Sequence, residues 1–240
     1  MSGTVGPRQE SIFNRFSFEF DGTDDYISID DVNNLSFGNG TTDSPFSISA
    51  WIKIGQTTAQ GIVTKYGSNS STREYLFYTT GGKLRLLFID ASNGANNFAT
   101  GTTNLSIDTW YHVACTYDGR GGSTAYNGMT LYINGVAESV TTIGGSYTAM
   151  SNTTQVVQIG KYSTNRLLGY IDETAIFNSE LSASDITSIY NGGIPNDITS
   201  LSPLSWWRFE GTGTTAIDSG SGGNDGTLEN GVIRSTDVPT

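Results

Sequence analysis

The chain has one cysteine, Cys115, and one histidine, His112, in 240 residues. A single thiol excludes an internal disulfide, so stability has to come from the core, from a metal or from other chains. His112 precedes Cys115 by three residues in Tyr-His-Val-Ala-Cys-Thr-Tyr. On a strand an odd offset sends two side chains to opposite faces, which excludes a Cys/His catalytic pair. Positive charge is scarce too: 12 Lys and Arg against 23 Asp and Glu leave a net charge of −11. That balance opposes binding to nucleic acid or to anionic membrane surfaces. No apolar run approaches the ~20 residues of a membrane span, so membrane insertion is not expected. The opening Met-Ser-Gly-Thr-Val-Gly-Pro-Arg-Gln-Glu has no apolar segment, and no signal peptide is seen.

What the chain has is glycine, 30 residues, and aromatics at 11% with only 15% charged residues, the composition of an all-β surface protein. Phe16, Phe18 and Phe20 alternate with Ser17 and Glu19, the period of a half-buried strand. Asp21-Gly22-Thr23-Asp24 is a turn signal before Tyr26-Ile27-Ser28-Ile29, so the opening unit is predicted to be a hairpin. Further strands are predicted at 46–54, 61–66, 74–79, 83–89 and 110–117. Met129–Ile133 and Val136–Ser139 flank Asn134-Gly135, which favours a two-residue hairpin turn. Strands at 156–160 and 168–177 complete the series.

Leu181 to Gly193 reads as a single short helix, with Ser182 as N-cap, Asp185 three residues on, Ile186, Ile189 and Tyr190 as its apolar face, and a glycine stop at Gly192 or Gly193. Pro203 to Glu210 reads as one more strand, and its Trp206, Trp207 and Phe209 carry enough apolar area to belong to the core. The expected fold is all-β: an antiparallel two-sheet jelly-roll β-sandwich with one short helix. The expected boundaries are an N-terminal arm at 1–15, the sandwich at 16–230 and a tail at 231–240.

Six segments, Phe20 to Ile27, Phe46 to Ile52, Trp110 to Ala114, Leu131 to Gly135, Gly169 to Glu173 and the helix ending Tyr190-Asn191-Gly192-Gly193, together resemble the laminin G-like jelly-roll modules of the concanavalin A-like superfamily. Trp206 to Leu228 resembles the strand and Asp/Ser/Gly-rich loop that open such a module, yet here it comes last, so the order of elements is circularly shifted. The strand is expected to close the sheet beside Phe16–Phe20; donation to a neighbouring copy and a truncated second repeat are the alternatives.

The resemblance implies a calcium site where the opening loop meets the late Ile-Asp-Glu strand. Asp172 is the expected ligand, with Asp218, Asn224 and Asp225 from the rotated loop and backbone carbonyls around Asp21 and Gly22. The same residues could equally serve only as turn stabilisers. The resemblance also implies glycan binding, for which Lys65, Tyr66, Arg73 and Tyr75 around the loop 67–72 are the candidates.

Hydrolytic relatives carry two glutamates and an aspartate on one strand face, and no such run exists here. The adjacent acidic pairs Asp24-Asp25, Asp30-Asp31 and Asp172-Glu173 are expected to point to opposite faces, so the chain is not expected to be an enzyme. The reading is a non-catalytic adhesion or decoration module, on a phage virion surface or extracellular, with a glycan or cell-surface ligand. Its rival is a structural protein that clamps neighbouring capsid or tail subunits, and a homo-oligomer fits either.

Overall fold

The computed structural model describes residues 14–240. In chain order the strands are β1 (Ser17–Asp21), β2 (Tyr26–Ile29), β3 (Phe46–Ile54), β4 (Gln60–Tyr66), β5 (Arg73–Thr80), β6 (Lys83–Ile89), β7 (Asn96–Gly101), β8 (Trp110–Tyr117), β9 (Met129–Ile133), β10 (Val136–Ala137), β11 (Val140–Ile143), β12 (Val157–Ile159), β13 (Lys161–Tyr162), β14 (Asn165–Arg166) and β15 (Leu168–Phe177). Helix α1 (Ala183–Tyr190) follows, then β16 (Ser205–Trp207), β17 (Thr215–Ala216), β18 (Gly226–Glu229) and β19 (Ile233–Ser235).

Two antiparallel sheets face each other. The first runs β10-β9-β8-β3-β15-β1-β19, with β16 also on β15; the second runs β11-β7-β6-β5-β4-β12-β2-β18-β17. Strict alternation explains the packing. In β6, Leu84, Leu86 and Phe88 enter the core between the sheets, while Leu87 and Ile89 lie on the opposite face. The largest fully buried side chains include Trp207, Tyr75, Tyr117, Phe18 and Phe20, each removing a large apolar area from water. Helix α1 covers the outer face of the first sheet, where Ile186 and Ile189 pack with Tyr132, Phe177 and Trp206.

The helix opens on a capping box: the Ser182 hydroxyl accepts from the Asp185 N–H while the Asp185 carboxylate accepts from the Ser182 N–H. It ends at Asn191, in the left-handed conformation, one residue before the expected glycine. His112 lies beneath it, fully buried with Nε2 2.8 Å from Ser49 Oγ, and burial lowers its pKa to about 3. Cys115 is buried, on the core side of the same strand.

Among the strands not expected from the sequence are β7 and β11. They pair with each other, Val140 opposite Gly101 and Ile143 opposite Phe98; Asn96, Asn97 and Gly101 are poor strand formers that their neighbours hold in place.

The C-terminal elements are built into this sheet system. β16 pairs with β15, Trp207 opposite Thr174; β18 pairs with β2, Leu228 opposite Ile27; and β19 pairs with β1, Ser235 opposite Ser17. The tail expected at 231–240 is therefore corrected: Ile233–Ser235 is an edge strand, and Asp237 accepts from Lys53 Nζ at 2.6 Å and Trp110 Nε1 at 2.8 Å. Of the expected N-terminal arm, residues 1–13 lie outside the described residues. Asn14 and Arg15 are tied down, Asn14 Nδ2 donating to Asp172 and the Arg15 N–H to Glu210.

Candidate glycan-binding face

The second sheet carries an apolar cluster on its outer face, away from the core: Leu76, Tyr78 and Ile89, with Tyr66, Leu87 and Tyr162 packed against them. The β13–β14 hairpin lies over β4 at one side of this cluster. It approaches so closely that a Cβ at Gly61 would sit 2.2 Å from the Lys161 carbonyl oxygen, which is why glycine stands there.

Three tyrosines follow one another across this face. Tyr66 and Tyr162 are 5.2 Å apart between ring centres at 76°, and Tyr78 and Tyr162 are 5.2 Å apart. The Arg73 guanidinium lies 4.4 Å from the Tyr66 ring centre and donates to the carbonyls of Gly67 and Ser68. Burial raises the pKa of Tyr66 and of Tyr78, keeping both phenols neutral donors.

Two cavities meet at Tyr66. One, of about 150 Å³, has Leu76, Leu87 and Ile89 as an apolar floor and Arg73, Ser70 and Asn96 at its polar rim. The other, of about 300 Å³, is polar, lined by Gln155, Gln158, Lys161, Ser163 and Thr164. An aromatic wall between an apolar floor and hydroxyl-binding side chains is the arrangement that small polar ligands require.

Tyr66 and Arg73 were legible as candidates; Lys65 and Tyr75 require correction. Tyr75 alternates inward, fully buried, with its hydroxyl donating to the Leu35 carbonyl. Lys65 is also fully buried, its Nζ 2.8 Å from Asp31 and 3.2 Å from Glu74, so neither residue can touch a ligand. Glu74 in turn accepts from the Thr153 N–H and hydroxyl. This buried network fastens the loops beside the site, since Asp31 and Thr153 belong to segments that flank β4 and β5 in space. Burial raises the Glu74 pKa, against the pull of Lys65. Sequence reasoning missed Tyr162 and Lys161, whose two-residue strand carries no readable alternation.

The six residues expected to share one calcium site are not brought together. Asp21 pairs with Leu168, four residues from Asp172 along β15, which is roughly 13 Å of strand. Asp172 is instead fully buried, with Asn14 Nδ2 and the Glu173 N–H as its donors. In the rotated loop Asp218 accepts from the backbone N–H groups of Trp206, Gly220 and Asn224, and Asp225 accepts from Asp218 N–H. Asn224 Nδ2 donates to Ser205 Oγ. These residues hold a turn.

What gathers instead is Asp21, Asp24 and Asp25 in the β1–β2 turn, with ligand oxygens within 4.8 Å of one another. Asp21 accepts from the N–H of Thr23 and of Asp24, and these bonds lower its pKa; burial raises that of Asp25. Gly22, at φ 76, shapes this turn, and a Cβ there would meet Leu168 Cβ at 2.9 Å. Asp21 and Asp24 are exposed and Asp25 is buried, and their carboxylates are hard oxygen donors of the kind a divalent cation takes.

The opposite-face expectation for Asp172 and Glu173 is also corrected. The β3–β15 register shifts between Asp172 and Ala175, and Glu173 adopts φ 45. This bulge breaks the alternation, so both carboxyls are buried against the segment 206–210. Burial, then each other's charge, raises the pKa of Asp172; burial raises that of Glu173 to about 8, opposed by Arg208. Glu173 accepts from Trp206 Nε1 at 2.6 Å, and its other oxygen lies 3.6 Å from Arg208 Nε. The pair is sealed beneath Trp206 and Arg208 rather than flanking an open cleft.

No curated protein sequence matches the chain. Among solved structures it is similar to a proposed carbohydrate-binding protein from Bacteroides ovatus, with 20% identity, a TM-score of 0.61, 94% of this chain covered and 61% of that one. A heptameric SAP-like pentraxin from Limulus polyphemus matches with 15% identity and a TM-score of 0.55 over 92% of this chain and 95% of that one. The ligand-binding domain of botulinum neurotoxin serotype D, solved in complex with N-acetylneuraminic acid, matches with 21% identity and a TM-score of 0.51 over 77% of this chain and 44% of that one. At these identities the likeness is one of fold, and the chain spans only about three fifths of the Bacteroides protein. A laminin G family model, described as the concanavalin A-like lectin/glucanases superfamily, matches residues 21–187. The chain therefore belongs to the concanavalin A-like lectin/glucanases superfamily.

Proposed function

We propose that this protein is a non-catalytic glycan-binding module whose ligand lies along the Tyr66–Tyr162 face of the second sheet. The observation that carries this reading is Tyr66 itself, a partly buried aromatic shared by an apolar and a polar cavity, with a guanidinium against its ring. The solved relatives described by carbohydrate or sialic-acid binding support the same reading. The sealed Asp172–Glu173 pair supports a binding role over hydrolysis, because a glycosidic bond cannot reach it.

The reading extends to calcium held by Asp21, Asp24 and Asp25, which would stiffen the β1–β2 turn beside the chain's first strand. It extends also to adhesion or decoration at a phage virion surface, a setting drawn from the rotated order of elements. A glycan array with wild type and Tyr66→Ala tests the central claim: sugar signals lost in the variant support it, and an array blank for the wild type overturns it.

A further inference from the structure

We infer that the smaller cavity reads an acetamido group, so that the sugar taken by this face is N-acetylated. The inference rests on the glycan-binding reading above and assigns the two cavities different tasks. The polar cavity offers two glutamine amides and the hydroxyls of Ser68, Ser163 and Thr164, which suit ring hydroxyls. The apolar cavity cannot serve them: its floor is Leu76, Leu87 and Ile89, and a hydroxyl seated there would lose its water partners without replacement.

Its size, about 150 Å³, is enough for a compact group and too small for a second pyranose beside its substituents. Its chemistry is split in a particular way. The floor is aliphatic, while Arg73 stands at the rim with Nε and Nη2 engaged by Gly67 and Ser68 and Nη1 without a protein partner among the described residues. A methyl on the aliphatic floor and a carbonyl oxygen at the guanidinium are the two ends of an acetamido group. Ser70 and Asn96 at the same rim can meet its N–H. Tyr66 borders both cavities, so the acyl group and the sugar ring that carries it would both lie against this residue.

The test is a matched titration of the intact protein by calorimetry, with the β-methyl glycosides of N-acetylglucosamine and of glucose. We expect the N-acetylated sugar to bind at least tenfold more tightly, which is 1.4 kcal/mol. Leu87→Phe, which fills the floor from an outward-facing position, should erase that ratio. N-acetylneuraminic acid, with the same acyl group on a charged ring, should also lose affinity in Leu87→Phe. Equal affinity of wild type for the two glycosides overturns the acetamido assignment while leaving the binding face intact. Absence of binding to every sugar overturns both.

Discussion

The Arg73 guanidinium stacks 4.4 Å from the centre of the Tyr66 ring while its Nε and Nη2 hold the carbonyls of Gly67 and Ser68. One side chain thus fixes both the aromatic wall of the site and the loop that rims it. Arg73→Lys keeps the charge but not the planar fork, so we expect glycan affinity to fall about tenfold. The melting temperature should move by only a few degrees, since the residue is partly exposed and outside the core. Calorimetry and thermal denaturation on the same sample check both.

Calcium should act through the β1–β2 turn and not through Asp172. At about one hundred times its dissociation constant, an ion bound only by the folded state adds roughly 2.7 kcal/mol, several degrees in midpoint. Asp21→Asn with Asp24→Asn should abolish that shift, and Asp172→Ala should leave it in place. Melting curves in millimolar calcium and in excess chelator distinguish these; a shift lost with Asp172 would return the ligand set to β15.

Acid should stabilise the fold near neutrality. Burial holds the Asp172 and Glu173 carboxyls above their unfolded values, Glu173 at about 8. The folded state therefore binds more protons than the unfolded one between roughly pH 4.5 and 8, and stability falls as pH rises through that window. Of the groups facing the pair, Arg208 and the donors Asn14 and Trp206 favour ionisation, Glu210 opposes it, and burial outweighs them. Glu173→Gln keeps an acceptor for Trp206 and should flatten the slope of midpoint against pH from 5 to 8. An unchanged slope would place the titrating group elsewhere.

Breaking the Lys65–Glu74 contact from one side should cost more than removing it whole. Lys65→Met leaves a carboxylate buried and is expected to destabilise by about 3 to 5 kcal/mol. Adding Glu74→Met should recover part of that loss, though the Thr153 donors remain unpaired. Denaturant titrations of both single variants and the double variant give the coupling.

Removal of residues 231–240 should lower the melting point markedly. The truncation strips β19 from β1 and leaves Lys53 and Trp110 without Asp237. A truncated chain that melts like the full one would show that this edge adds nothing.

The sandwich was legible because its long strands alternate: Lys83–Ile89 and Trp110–Tyr117 have the bounds their pattern predicts. The capping box of α1 was legible for the same local reason, Ser182 and Asp185 being three residues apart. Of the site, Tyr66 and Arg73 could be read from the sequence, because a loop between strands exposes its flanks. Tyr162 could not, since its place depends on a hairpin folding back over Gly61. Lys65 misled because a lysine in a strand reads as exposed, and only the folded chain reveals the two carboxylates that bury it. Asp172 misled for a different reason. A left-handed residue beside it shifts the register, and no periodicity in the sequence announces a bulge.

The pairing of β1 with β19 places Ser17 opposite Ser235, so the chain enters and leaves the sandwich at one corner of the first sheet. The Tyr66 face belongs to the other sheet. Under tension this arrangement is directional. Pulling on both termini together would peel β19 from β1 one hydrogen bond after another, the geometry in which a strand pair yields most easily. Pulling between one terminus and a sugar held on the far sheet spreads the load across the whole sandwich, so a module hung by a single end would resist force best while gripping its ligand.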